Sequence, residues 1–208
     1  MFGEALKLYL KYPAEMEYWA GKDEEEGEID EDLVSEIAEE ERDAFLSALS
    51  EVYELALEQF NDGIISPLRE ALNSAAGKEG ITLSRPRRKD GIADQLEWRV
   101  RSQNNMEGGY RSIGCSFFTE RSGDESVLNI YPWVWTRGGM LGAQRLAERL
   151  GDGWCVCDGD GWVPGAIRHE PRISIRPESK SDAVVESIAG CLVPQMRLLA
   201  QETTHPAH

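Results

Sequence analysis

The chain has 208 residues, 41% of them hydrophobic, so it can bury one substantial core without being divided into independent domains. It contains no run of about 18 apolar residues and no N-terminal pattern typical of a secretory signal. These features argue against membrane-spanning and exported classes, and we expect a cytoplasmic protein whose four cysteines are free thiols.

The net charge of −16 is confined to the first third of the chain. Residues 1–62 hold 20 acidic and 4 basic side chains, whereas residues 63–208 hold 18 of each. A uniformly acidic composition would indicate solubility alone, but this division predicts a polarised surface that attracts a basic partner. The same negative charge argues against direct contact between residues 1–62 and nucleic acid.

The N-terminal part of the chain has the apolar spacing of helices. GEALKLYLKY predicts a short helix that Pro13 ends or kinks. After the charged linker GKDEEEG, a long helix is predicted from about Asp30 to a stop at residues 61–63. Ser66 as N-cap and Gly77 as C-terminal stop predict a third helix between them. The predicted buried stripe of the long helix comprises Leu33, Ile37, Phe45, Leu49, Val52, Ala56 and Phe60.

The apolar period then changes from that of helices to that of strands. Leu96, Trp98 and Val100 alternate with charged residues, which predicts a strand with one wet face. SIGCSFF (112–118) and SVLNIYPWVW (126–135) predict two further strands joined as a hairpin.

The rest of the chain alternates between helix and strand. Residues 140–150 predict a helix closed by Gly151, and WCVCDGDGWV (154–163) predicts a tight hairpin that turns on its Asp-Gly pairs. RISIR predicts another strand, and residues 181–201 predict a C-terminal helix that Pro194 kinks.

This order of elements indicates the α+β class. We expect N-terminal acidic helices packed with a mostly antiparallel β-sheet and a C-terminal helix. The chain is divided into an acidic helical segment, residues 1–77, and a sheet region, residues 78–208, which together form one compact domain.

A line of carboxylates on the predicted long helix is the main functional signal. Successive acids follow one another at helical spacing, so most of them share one face. Like charges at this spacing destabilise a helix by a few tenths of a kcal/mol per pair, and Arg42 is the only base between Lys22 and Arg69. The predicted partner-binding residues are Glu36, Glu39, Glu40, Asp43, Glu51, Glu54 and Glu58.

Several interpretations of this line remain open. It could be an ordinary solvated face. Our hypothesis is a non-enzymatic inhibitor that mimics nucleic acid and blocks a nucleic-acid-handling enzyme, of the anti-restriction or anti-CRISPR kind. The match is partial, since the helix offers about one carboxylate per 5.4 Å turn and DNA about one phosphate per 3.4 Å of each strand. An immunity protein that neutralises a basic toxin would use the same charges.

The cysteines and aspartates near residue 155 do not predict a metal site. In a strand, Cys155 and Cys157 would stand about 6.6 Å apart, too far for two thiolates on one zinc ion. Both are expected to face one side of the strand, with Trp154 and Val156 on the other. Asp158-Gly159-Asp160-Gly161 is better explained by a turn than by a calcium loop.

Other candidates for catalysis are equally weak. Asp94, Glu97 and Arg99 resemble a degenerate metal-dependent nuclease motif that lacks its lysine, and this enzyme remains an alternative. His169 stands at a strand margin without a recognisable nucleophile motif. We therefore predict no catalytic residue, no metal ligand and no cofactor.

A second surface provides the rival function. Tyr131, Trp133 and Trp135 share one strand face, and residues 85–89 form a basic run. Together they would suit a module that binds single-stranded nucleic acid. The interpretation favoured from sequence is that this aromatic stripe belongs to the core under the helices.

Overall fold

The computed structural model describes residues 2–19, 39–88, 91–102, 111–122, 125–136, 139–157 and 165–201. Helices pack on one face of a mostly antiparallel sheet, which confirms the α+β class and the presence of N-terminal helices and a C-terminal helix. The helices are α1 (Glu4–Lys11), α2 (Pro13–Trp19), α3 (Glu39–Phe60), α4 (Ser66–Lys78), α5 (Gly139–Leu150) and α6 (Ser181–Gln201).

Eight described strands form the sheet, in the order β1-β3-β4-β5-β7-β6, with β2 pairing β3 and β8 pairing β5. All the pairings between these strands are antiparallel. The strands are β1 (Ile81–Leu83), β2 (Arg87–Arg88), β3 (Gln95–Ser102), β4 (Arg111–Ser122), β5 (Glu125–Thr136), β6 (Trp154–Val156), β7 (Ala166–His169) and β8 (Ile173–Ile175).

The break between the first two helices lies where proline predicts it. Helix α1 ends at Lys11 and α2 begins at Pro13, because proline lacks the N–H that would continue the α1 ladder. Leu6, Tyr9 and Leu10 of α1 are fully buried against the rest of the core.

Helix α3 confirms part of the predicted stripe. Ala56 and Phe60 are buried, while Leu33 and Ile37 lie outside the described residues, as does the predicted start near Asp30. Phe45 was wrongly placed in the core, since it is 41% exposed. Tyr53, which the stripe omitted, is fully buried because it lies on the same side of the helix as Ala56 and Phe60.

The predicted stop at Asn61-Asp62-Gly63 is wrong. The chain passes from α3 through a π-helical turn, Asn61–Ile65, directly into α4. Ile64 and Ile65 are buried, so tertiary packing of this turn overrides the turn propensity of the three residues before it. Ser66 is therefore not an N-cap, and its backbone is helical at φ −65° and ψ −48°. The left-handed glycine after α4 is Gly80, not Gly77.

The hairpin of β4 and β5 is confirmed and is longer than predicted. Its register runs from Arg111 opposite Thr136 to Ser122 opposite Glu125. Directly opposed residues share a face of the sheet, so Ile113 and Val134 point to the same side. Every sheet residue of the hydrophobic core falls on this one side, with buried side chains from all six helices.

The segment around residue 155 differs from the prediction. Strand β6 pairs with Ala166–His169, so the hairpin is not the tight one predicted within residues 154–163. Burial of Ala166 and Ile167 selects this later partner. Asp158 and Asp160 lie outside the described residues. The helix before β6 is closed by Gly151 at φ +85°, as predicted.

The C-terminal helix α6 continues through Pro194 to Gln201. Its length and composition alone would allow a membrane span. Seven of its side chains are nevertheless buried, as expected for an amphipathic helix packed on a sheet. The buried residues are Val184, Val185, Ile188, Leu192, Gln195, Met196 and Leu199.

A buried carboxylate joins the helices to the sheet. Glu17 of α2 accepts hydrogen bonds from the Tyr9 hydroxyl at 2.8 Å, from the Tyr53 hydroxyl at 3.0 Å and from the Ala93 N–H at 3.2 Å. The Tyr53 oxygen also accepts from the Ile92 N–H at 3.2 Å. Three helices and the segment leading into β3 thus meet at one buried carboxyl group.

We expect Tyr53→Phe to lower the free energy of unfolding by about 1–3 kcal/mol, because the buried Ile92 N–H loses its acceptor and Glu17 loses a donor. Urea denaturation followed by circular dichroism measures this change. Tyr12→Phe removes the same atom from an exposed tyrosine and should change stability by no more than about 0.5 kcal/mol. Equal losses in the two variants would contradict the role given to this network.

Candidate functional surfaces

The acidic residues predicted to bind a partner are only partly covered by the structure. Glu36 lies outside the described residues, and Glu39, Glu40 and Asp43 lie in the first two turns of α3. Glu51, Glu54 and Glu58 are exposed on the side of α3 away from buried Tyr53, Ala56 and Phe60.

These three glutamates form, with Leu55, the surface that we call the acidic face. The spacings from Glu51 to Glu54 and from Glu54 to Glu58 place successive carboxylates one helical turn apart. No Lys or Arg occurs between Asp43 and Leu68, so no base on α3 itself neutralises them. The acidic face is therefore a continuous negative surface over the C-terminal half of α3.

Leu55 was not singled out from the sequence. It is 47% exposed and lies on the same side of α3 as the three glutamates. The sequence signal that could have found it is the i,i+3 spacing between Leu55 and Glu58, which places an apolar residue outside the buried stripe. An exposed leucine among carboxylates provides apolar contact area within a charged surface.

The other side of the sheet forms a second surface. Alternate strand residues that point away from the core cluster make up what we call the open face. On the long strands these residues are Glu97, Arg99, Arg101, Ser112, Gly114, Ser116, Phe118, Glu120, Asn129, Tyr131, Trp133 and Trp135. Beside them are Arg87 and Arg168 on the shorter strands and Arg172 just before β8.

The expectation that the aromatic stripe lies under the helices is wrong. Tyr131, Trp133 and Trp135 stand on the open face, whereas Leu128, Ile130 and Val134 point to the helices. Trp133 is nonetheless buried, with only 7% of its surface exposed, because its ring lies over Gly114. A Cβ atom at residue 114 would clash with that ring. A glycine in the partner strand thus lets the indole lie flat on the sheet.

Arginines surround the half-buried Tyr131. The Arg168 guanidinium lies 5.4 Å from the centre of the Tyr131 ring, and the Phe118 ring packs edge-to-face against it at 5.9 Å. The Tyr131 hydroxyl donates to Glu120 at 2.7 Å, and Arg172 forms an ion pair with the same carboxylate. Partial burial is the main cause that raises the pKa of Tyr131.

Two polar groups on the open face are buried without partners. Ser116 is fully buried, and neither its hydroxyl nor the Trp133 Nε1–H has a hydrogen-bond partner among the described residues. Ser116 lies directly opposite Tyr131, and Tyr131 is two residues from Trp133 on β5. Unpaired buried donors are uncommon and destabilising, so this part of the open face has unused hydrogen-bonding capacity.

The cysteine and histidine candidates do not form a reactive centre. Cys155 and Cys157 share one side of the β6 segment and Trp154 and Val156 pack on the core, as predicted. Burial raises the pKa of Cys157 to about 11. The His169 ring contacts the Cys191 thiol, with Nδ1 3.8 Å from Sγ, and burial raises the pKa of that thiol as well. A raised pKa disfavours the thiolate that a nucleophile needs.

The residues of the nuclease-like motif make other contacts. Asp94 precedes β3 and its carboxylate accepts from the Gln95 N–H, while Glu97 on the open face accepts from the Ser112 hydroxyl at 2.5 Å. Across the part of the chain that the structure describes, no three His, Cys, Asp or Glu side chains lie close enough together to hold a metal ion.

All four cysteines are free, as predicted.

Comparison of the chain with protein-family models, with curated proteins and with solved structures finds no match.

We expect Cys155 to react first with a thiol-modifying reagent near pH 7, because it is exposed while Cys115 and Cys157 are buried with raised pKa values. Iodoacetamide labelling followed by peptide mass spectrometry gives the order. Cys155→Ser should remove the fast phase and leave the slow ones. Faster labelling of Cys157 than of Cys155 would contradict this burial pattern. Since the thiolate is the reactive form, the rate at Cys157 should still be rising at pH 10.

Proposed function

We propose that this protein acts without catalysis, by binding the basic surface of another protein through the acidic face of α3. The observation that carries the proposal is the exposure of Glu51, Glu54 and Glu58 along one side of a helix whose other side is buried. Lysines at such positions would stabilise the helix by ion pairing, so an unbroken row of glutamates is not what helix stability alone favours.

Leu55 supports a binding surface over an ordinary solvated face. Protein interfaces combine apolar area with charged residues around it, and the acidic face has this composition. Carboxylates would steer a basic partner into contact, and burial of Leu55 would then contribute to the lifetime of the complex.

The partner that fits best is a cytoplasmic enzyme that handles nucleic acid. Its phosphate-binding groove would present arginines and lysines, and the carboxylates of α3 would occupy it in place of phosphates. The protein would then be an inhibitor of that enzyme. A basic toxin held by its immunity protein presents the same charges, and the identity of the captured partner separates the two.

The combined variant Glu51→Gln, Glu54→Gln and Glu58→Gln should bind the partner at least about tenfold more weakly, because the charges that steer and hold it are removed. The partner is isolated by affinity capture from the native host, purified, and titrated against wild type and variant by calorimetry. The matched control is Glu70→Gln, Glu148→Gln and Glu186→Gln, which removes three exposed carboxylates from α4, α5 and α6.

An equal loss of affinity in both variants would leave net charge as the only factor and would overturn the assignment to the acidic face. Wild-type affinity should also fall as salt rises, since exposed charges are screened within about 10 Å at 0.1 M.

Leu55→Ala should weaken the complex, because it removes apolar contact area at the centre of the acidic face. It should not slow folding, because the side chain is exposed. Leu141→Ala on α5, where the leucine is 73% exposed, is the control and should leave affinity unchanged. Surface plasmon resonance measures both, and the expected change is a faster dissociation rate for Leu55→Ala. If Leu55→Ala leaves the affinity and the dissociation rate unchanged, Leu55 does not contribute to binding and only the carboxylates of the acidic face do.

A further inference from the structure

We infer that the open face of the sheet is a binding site for single-stranded nucleic acid, separate from the acidic face. Both DNA and RNA strands offer the chemistry concerned, which is unpaired bases joined by phosphates. The inference stands on the sheet residues alone and does not depend on the proposed protein partner.

The first support is the placement of aromatic rings on the side of the sheet away from the described helices. All the core residues of the strands point to the helices, which leaves Tyr131, Trp133 and Trp135 on the opposite side. Alternate residues of a strand stand about 6.6 Å apart, so the three rings form a row in which Tyr131 and Trp135 are partly exposed and Trp133 is buried. Phe118 on the neighbouring strand is 39% exposed beside Tyr131. Aromatic rings on an open sheet are a general means of stacking unpaired bases.

The second support is charge. Among the side chains that define the open face, five are arginines and two are glutamates, and a third glutamate, Glu170, pairs with Arg168 beside them. The net charge of the whole chain, by contrast, is −16. Arg87 on β2 and Arg101 on β3 are exposed. Arg168 and Arg172 flank Tyr131 on the other side. Cations thus stand on both sides of the aromatic row, where a strand whose bases stack on the rings would place its phosphates.

The third support is the pair of unpartnered polar groups. The Ser116 hydroxyl and the Trp133 Nε1–H are buried among the rings and lack partners among the described residues. Base edges carry carbonyl and ring-nitrogen acceptors, which can pair with these two donors once the side chains over them move aside. In duplex DNA the faces of the bases are stacked on one another, so they cannot also lie on the rings of the open face. The open face therefore favours single strands.

The acidic helix does not prevent this binding. Helix α3 lies on the other side of the sheet, in the helical layer, and packed layers are separated by about 10 Å. The acidic face is on the side of α3 away from the core, so its carboxylates lie more than about 10 Å from the open face, beyond the screening length at about 0.1 M salt.

The test is fluorescence anisotropy at about 0.1 M salt with labelled oligothymidylate and oligouridylate of about 12 nucleotides, a labelled duplex, and an oligoglutamate peptide. We expect both single strands to bind, and the difference between them to report whether the 2′-hydroxyl contributes. Phe118→Ala and Arg101→Glu should each weaken binding about tenfold. The controls Leu141→Ala and Arg145→Glu change exposed residues of α5 and should stay within about twofold of wild type.

Ser116→Ala separates a binding role from a structural one. Removing an unpaired buried hydroxyl should leave the denaturation midpoint unchanged or raised, yet weaken binding of the single strand. The inference is overturned if neither single strand binds, or if the duplex binds as strongly as the single strands. It is also overturned if the oligoglutamate peptide binds and Phe118→Ala does not weaken that binding. The combined variant Glu51→Gln, Glu54→Gln and Glu58→Gln should retain full affinity for the single strand. Failure of strand binding and failure of the proposed protein interaction are therefore distinguishable.

Discussion

The buried carboxylate of Glu17 is the constraint on which both surfaces depend. A carboxyl group taken out of water destabilises the fold unless hydrogen bonds replace its hydration. Here Tyr9, Tyr53 and the Ala93 N–H supply them. Tyr53 must point inward for this, and its orientation sets the rotation of α3 that turns Glu51, Glu54 and Glu58 to solvent. Ala93 lies at the entry to β3, so the same contact places the sheet against the helices.

The described helices cover one side of the sheet, and this follows from how its strands pair. Residues opposed across β3, β4 and β5 put their apolar members on one face, where the helices bury them, and leave polar and aromatic members on the other. Gly114 makes the second face possible in its present form, because a side chain at that position would lift Trp133 off the sheet. The form of the open face thus depends on the pairing register of the strands and on the lack of a side chain at Gly114.

The two surfaces have opposite character and lie in different layers. The acidic face is a row of carboxylates on an outer helix, and the open face is a set of rings flanked by guanidinium groups. Arg172 pairs with Glu120 and Arg168 with Glu170, so these two bases and two acids offset each other's charge within the sheet. A protein partner on the helices and a strand on the sheet would meet different sides of the molecule.

The sequence by itself determined the class of fold, most of the elements and the charge of the first 62 residues, because proline, glycine and the spacing of apolar residues act locally. Pro13, Gly151 and the alternation in residues 112–135 needed no knowledge of distant contacts. Tertiary structure alone decided that α3 runs through Asn61-Asp62-Gly63 into α4, since buried Ile64 and Ile65 outweigh local turn propensity. It also decided which face of β5 the helices cover. Both faces of that strand are apolar or aromatic, and only its pairing with β4 and the packing of distant helices distinguish them.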